Sequence, residues 1–228
     1  MIISFSLWGD CKLYNYGALE NALLSPEVYP GWRCRFYVGR GVIPGVRERL
    51  AAMPHVSIVD VDEENKFSNT LWRFRPAFET DETVIVRDCD SRINERERLA
   101  VDEWLASDKD FHIMRDHPKG HWGRVLCGMW GARNGALKRF LPSLEAYSAK
   151  STNRYFHDMD LLSKEVYPHV ADDSMIHDEY FRYEAHARPF PKSDYEGFVG
   201  EVVTDCSRAG RLLGDGERVF RKRRCQVP

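Results

Sequence analysis

The stretch Thr83-Val84-Ile85-Val86-Arg87-Asp88-Cys89-Asp90-Ser91-Arg92 carries the sharpest chemical signal in the 228-residue chain. A strand-forming run ends on two carboxylates at i and i+2, just ahead of a turn. In an open α/β sheet, ligands bind beyond the carboxyl ends of the strands, where Asp88 and Asp90 fall. Two carboxylates that close repel each other unless a cation offsets them. A hard divalent ion, Mn2+ or Mg2+, held by one or two carboxylates and completed by substrate phosphate oxygens, meets that need. The plain alternative is a polar turn after a strand. The position of the pair, directly behind an apolar run, favours the ion.

Such a pair needs a sheet to hold it, and the periodicity supplies one. Ile2 to Leu7, Cys34 to Val38, Val56 to Val61 and Thr83 to Val86 read as strands. Between them, Ala18 to Leu24 (stopped by Ser25-Pro26), Val46 to Ala52 and Leu71 to Phe78 read as helices. Strands alternating with crossover helices mean an α/β fold with a largely parallel sheet. Asn94 with Glu97 forms a capping box for a helix reaching about Ala106. Phe111 to Met114 and Val125 to Trp130 read as strands, the second broken by Gly128. Leu137 to Ala149 and Met159 to Val166 read as helices, with Pro142 kinking or restarting the first. From Asp178 onward irregular structure is expected. With no linker or repeat, the chain reads as a single domain over 1–203, with 204–228 an extension or tail of unassigned role.

Composition narrows the function classes. Lys and Arg number 33 against 35 Asp and Glu, a formal charge of −2, so no basic footprint for nucleic acid is present. The run Arg221-Lys222-Arg223-Arg224 reads as a solvated end. Hydrophobic residues at 43% are enough for a core, and no window approaches the roughly 18 apolar residues of a transmembrane segment. The first ten residues lack the basic and long apolar regions of a signal peptide. Six scattered cysteines without a Cys-x-x-Cys pair read as reduced thiols, and the expectation is a cytoplasmic protein.

Two enzyme classes use a strand-end Asp-x-Asp. Haloacid-dehalogenase-like phosphatases make the first Asp a nucleophile; GT-A glycosyltransferases use the pair to hold a metal on a nucleotide-sugar. In the phosphatases the motif ends the first strand and a hydroxyl residue follows two positions on. Here it ends the fourth strand and Arg92 stands in that position. The phosphatase reading would take Asp88 as nucleophile and Asp172-Asp173 as its late acidic pair. A third reading is a non-catalytic nucleotide- or glycan-binding module.

Several motifs together resemble a family of small GT-A glycosyltransferases that includes enzymes of large algal viruses. They are Leu13 to Asn21, Asp88 to Arg92, Asp102-Glu103-Trp104-Leu105, His112 to Pro118, Gly128-Met129-Trp130-Gly131 and Phe198-Val199-Gly200-Glu201. The resemblance implies a GT-A-like, Rossmann-related fold with a mixed, mostly parallel sheet flanked by helices. It further implies a UDP- or GDP-linked sugar donor, a divalent metal and a glycan acceptor.

The resemblance also distributes roles. Asp90 touches the metal, with Asp88 on the metal-bound water or the ribose. His177 is the late metal ligand, or else an ordinary histidine, with His186 as the weaker alternative. Phe156-His157-Asp158-Met159-Asp160-Leu161-Leu162 is similar to the Asp-Gln-Asp-x-Leu element of GT-A families, with Met159 in place of the amide, which assigns Asp158 to the reacting sugar. The competing role for Asp158 is to stabilise a helix N-terminus, and for Asp160 that role prevails. Asp116 is a second candidate base.

From the residues themselves, Gly128 and Trp130 line the sugar pocket, or Gly128 marks a bulge. Of Arg73 and Arg75, two apart on one helix, only one readily reaches a diphosphate; Arg75 is preferred over Arg73. Tyr14 and Tyr16, in the loop after the first strand, pack on a nucleobase or else plug the core.

Overall fold

The structure, a computed structural model, describes residues 1–215. Cys225 and the basic run at 221–224 lie outside the described residues. Seven strands form one sheet: β1 (Ile2–Leu7), β2 (Arg33–Val38), β3 (Val56–Asp60), β4 (Val84–Arg87), β5 (Phe111–Arg115), β6 (Met129–Ala132) and β7 (Ser174–Asp178). Helices are α1 (Lys12–Val28), α2 (Val46–Ala51), α3 (Arg75–Glu79), α4 (Glu95–Ala106), α5 (Leu141–Ala149), α6 (His157–Leu161), α7 (Tyr167–Val170) and α8 (Ser207–Leu213).

The spatial order is β3-β2-β1-β4-β6-β5-β7, with β6 antiparallel to both β4 and β5 and every other neighbouring pair parallel. The α/β class, the mixed and mostly parallel sheet and its flanking helices are as expected. Every residue of β1 and β4 is buried, because helices cover both faces, and that explains their unbroken apolar runs. Side chains alternate between two cores. Ile85 joins Phe5, Phe36 and Leu19 on one face, while Val84 and Val86 join Phe74, Phe78 and Trp130 on the other.

Several boundaries differ from the sequence reading for visible reasons. Helix α1 runs through Pro26 to Val28. Proline cannot donate to the carbonyl four residues back, and His55 Nε2 takes that Ala22 carbonyl instead, at 2.8 Å. The Leu71 to Phe78 helix is a 3-10 segment, Phe67–Phe74, followed by α3, which Pro76 opens in its first turn. Only half of the expected capping box forms. Asn94 Oδ1 accepts from the Glu97 amide at 2.9 Å, but the Glu97 carboxylate turns to Arg87 at 2.7 Å and Tyr29 at 2.9 Å. The strand expected from Val125 starts only at Met129, since guanidinium groups take the carbonyls ahead of it: Arg115 bonds Arg124 O and Arg87 bonds Gly128 O, both at 2.6 Å.

Two elements went unanticipated. The strand β7 fills the polar sequence Ser174-Met175-Ile176-His177-Asp178. The segment taken as a tail contains α8, which packs against α1 through Ala209 and Leu213. Cys34, Cys89, Cys127 and Cys206 are free, whereas Cys11 is disulfide-bonded, contrary to the reading of all the cysteines as reduced thiols. Among the described residues, no helix is long and apolar enough to cross a membrane.

Candidate functional site

Asp88 and Asp90 stand just beyond the end of β4, on a turn gripped by α1. Asn21 Nδ2 donates to Ser91 O at 2.8 Å, and its Oδ1 accepts from the Ile93 amide at 3.0 Å. Gly17 lets the helix come this near: a Cβ there would lie 2.0 Å from the Cys89 carbonyl oxygen. The turn is therefore fixed by backbone contacts before any ligand arrives. The Asp88 side chain keeps 40% of its exposure.

Arg73, whose side chain is 5% exposed, organises the space around Asp88. Its Nη1 donates to Asp88 Oδ1 at 2.5 Å and its Nη2 to Asp158 Oδ2 at 3.3 Å. The Ser6 hydroxyl at the end of β1 accepts the Arg73 amide at 3.0 Å and sets the residue's place. Burial works against the charge of Arg73, but Asp88 and then Asp158 more than offset it and raise its pKa. Two carboxylates 70 positions apart in sequence thus meet on one cation, which brings Asp158 to the turn. The preference for Arg75 is corrected: that side chain is exposed and pairs with Glu79 at 3.3 Å, one helical turn on. Arg73 and Arg75 point apart, and the buried one faces the site.

Two tyrosines mark the extent of the cluster. Burial raises the Tyr14 hydroxyl, and Asp90 and Asp88 raise it further. Tyr155 is raised by partial burial and then by Asp88, Asp90 and Asp158. Both phenols therefore sense the turn carboxylates, and the three carboxylates form one electrostatic neighbourhood. The Cys127 thiol is pushed well up by burial and then by Asp158. Sequence reasoning missed Tyr155 and Cys127. Their signal was adjacency: Tyr155 precedes Asp158 by three residues, and Cys127 precedes Gly128.

Gly128 belongs here for a different reason from the one expected. A Cβ on it would lie 2.0 Å from Asp88 Oδ2 and 3.0 Å from the Asp88 amide nitrogen. The glycine gives room to a carboxylate of the protein itself.

The remaining candidates are placed elsewhere. Tyr16 is buried in the core and its hydroxyl donates to Asp215 at 2.6 Å, so it is no surface for a base. Trp130 is fully buried among Phe74, Phe78 and Phe111, so its ring is part of the core. Asp116 receives both Arg96 nitrogens at 2.7 and 2.9 Å and the Val199 amide at 2.9 Å, a structural ion pair rather than a base. His177, fully buried on β7, bonds His112 at 2.8 Å and Glu103 at 3.1 Å. From β4 it is three strands away, about 14 Å at the usual strand spacing, so the structure does not bring it to the carboxylate pair. Burial lowers its pKa and keeps it neutral, as in an ordinary core histidine. His186 is exposed on the loop beyond β7.

Asp172 and Asp173 precede β7, which runs in the same direction as β4. They therefore lie at the opposite end of the sheet from Asp88, and the acidic pair that a phosphatase would need does not form. Asp160 pairs with Arg154 and Lys164 at the surface.

Among the described residues, no group of three or more His, Cys, Asp or Glu side chains is arranged to hold a metal ion. Asp88 and Asp90 offer oxygen donors alone. Such a set fits a hard cation that keeps open positions for phosphate oxygens, not a closed protein cage.

No protein-family model and no curated protein matches the chain. Among solved structures, it is similar to the galactosyltransferase LgtC crystallised with donor and acceptor sugar analogues, at 12% identity and a TM-score of 0.49 over 94% of this chain and 95% of that one. An active-site mutant of LgtC gives 15% identity and 0.47 over the same shares. A mycobacterial protein gives 12% identity and 0.45 over 95% of this chain and 76% of that one. Likenesses of this degree say nothing about substrate or chemistry.

Proposed function

We propose that the protein is a GT-A-type glycosyltransferase that moves a sugar from a UDP- or GDP-linked donor to a glycan acceptor, using Mn2+ or Mg2+. The observation that carries this reading is Arg73, buried between Asp88 and Asp158 at the carboxyl end of the central strand. One guanidinium fixes a turn carboxylate suited to a cation and a second carboxylate suited to a sugar hydroxyl, side by side. A metal alone or a capping aspartate alone would need no such link.

In this reading Asp88 and Asp90 hold the ion, which when bound supplies positive charge to the leaving diphosphate. Arg73 keeps Asp88 and Asp158 in fixed relative orientation, so binding the donor costs little reorganisation. Asp158 accepts a hydrogen bond from a hydroxyl of the reacting sugars, and takes its proton where it serves as base. Tyr14 and Tyr155 stand at the rim, and the Tyr14 ring is offered to the nucleobase.

Thermal melting with UDP, GDP and their sugar conjugates, with and without Mn2+, tests the reading. A nucleotide at a hundred times its dissociation constant adds about 2.7 kcal/mol of stability. The expected result is a shift that needs both Mn2+ and one of the two nucleotides and that vanishes in Asp90→Ala. No shift with any nucleotide, together with phosphate release from simple phosphomonoesters, would overturn it.

A further inference from the structure

The chain beyond β7 returns to the carboxylate turn, and one buried side chain bonds to both. Buried Arg92 donates through Nη1 to Cys89 O at 3.2 Å and Ser91 O at 3.1 Å. Through Nη2 it reaches Val203 O at 3.2 Å, Asp205 O at 3.3 Å and Cys206 Sγ at 3.1 Å. Backbone contacts run alongside: Ser91 bridges Val202 in antiparallel fashion, and the Val203 amide donates to Asp90 O at 2.9 Å.

A few residues later, α8 docks on the helix that grips the turn from the other side. The Ala209 amide donates to Glu20 Oε1 at 2.8 Å, and the Tyr16 hydroxyl to Asp215. The turn is thus held between α1 and the segment 202–206, while α8 fastens that segment to α1. Burying a guanidinium is costly unless its donors are satisfied. Peptide carbonyls do that here, half from the turn and half from the returning segment. Arg92 is settled only while both are in place.

We infer that Arg92 is a positioning residue that couples docking of the segment 202–213 to the geometry of the Asp88–Asp90 turn. Affinity of the turn for Mn2+ and a nucleoside diphosphate then depends on α8 remaining on α1. The affinity half rests on the function proposed above; the mechanical coupling does not.

Backbone hydrogen exchange on the full chain tests the coupling through perturbations placed at α8. Glu20→Gln weakens the hold on α8, and Tyr16→Phe, a milder change, serves where the first variant fails to fold. Each should speed exchange in α8 and also, about tenfold for Glu20→Gln, in residues 88–93. Faster exchange confined to α8, with the turn unchanged, would overturn the coupling. Arg92→Lys, with one nitrogen in place of the fork, should loosen the turn directly. UDP and GDP affinity in Mn2+ is then read at a temperature where each variant is folded. A tenfold loss in Glu20→Gln supports the affinity half, and unchanged affinity beside a loosened turn removes it. If turn and α8 loosen together but the wild type binds neither nucleotide, the coupling stands and the proposed function falls.

Discussion

Gly128 and Asp88 stand so close that a methyl group on the glycine would lie 2.0 Å from the carboxylate oxygen Oδ2. The other carboxylate oxygen is held by Arg73 at 2.5 Å, so Asp88 is confined from two sides.

Gly128→Ala should therefore move the Asp88 carboxylate while leaving the two large core clusters intact. The expected result is at least a tenfold loss of Mn2+-dependent nucleotide affinity, with the melting temperature lowered by only a few degrees, the effect of about 1 kcal/mol. Titration calorimetry with UDP and GDP in Mn2+ checks it. Wild-type affinity in the alanine variant would mean that Asp88 has freedom the packing does not suggest.

Arg73 answers two carboxylates with a fork of donors, which an ammonium group cannot reproduce. Arg73→Lys should keep one contact at most and lose more than tenfold in transfer rate. Arg73→Gln leaves Asp88 and the buried Asp158 without their cation, and breaking such a pair costs about 3–5 kcal/mol. Urea unfolding of the two variants separates the effects, with the lysine chain nearer the wild type.

Asp158→Asn preserves shape and removes the charge. Donor binding should stay within a few-fold of wild type, while transfer falls by roughly 10²–10⁴, the range of general acid–base catalysis. Steady-state rates with a responsive acceptor check this. A fully active asparagine variant would return Asp158 to the support of its helix N-terminus.

The buried histidines give the fold a defined dependence on pH. Burial, with His117 beside it, lowers His121 from its ordinary 6.5 to about 4, and burial lowers His112 and His177 as well. The unfolded chain therefore binds more protons than the folded one below about pH 6.5. Stability is full above that value and declines as the pH falls toward the folded pKa. For His121 the decline between pH 7 and 5 is about 2 kcal/mol. His121 Nδ1 accepts the Asp116 amide at 3.0 Å, a bond that protonation removes. Urea midpoints across this range should fall in the wild type and fall less steeply in His121→Gln; equal slopes would place the titration elsewhere.

What the sequence disclosed and what it concealed divide along one line. The turn at Asp88 was legible because a buried strand and the residues following it are contiguous, and β1 to β4 announced themselves as apolar runs between helices. Asp158 was legible as part of a local element. The choice between Arg73 and Arg75 turned on the phase of a 3-10 segment, which periodicity at 3.6 residues does not resolve. Trp130 and Asp116 carry residue types that suit a site, yet their roles are settled by partners far along the chain: Phe74 and Phe78 for the one, Arg96 on α4 for the other. Strand β7 stayed hidden because its histidine and aspartate become tolerable in a core only once His112 and Arg115 of β5 lie beside them.

The two margins of the sheet are closed by different means. Beside β7, Arg188 donates its amide to Ile176 O and its carbonyl accepts from the Asp178 amide, so a single residue caps the outermost strand. At the other margin β3 is only five residues long and ends on Asp60, ion-paired with exposed Arg47. A strand approaching either side meets occupied peptide groups or charge, the devices by which sheet proteins resist edge-to-edge polymerisation. The guard against aggregation is thus kept at the periphery. The middle strand, which carries the carboxylates, is left free to be apolar along its length up to Arg87 without inviting a second chain.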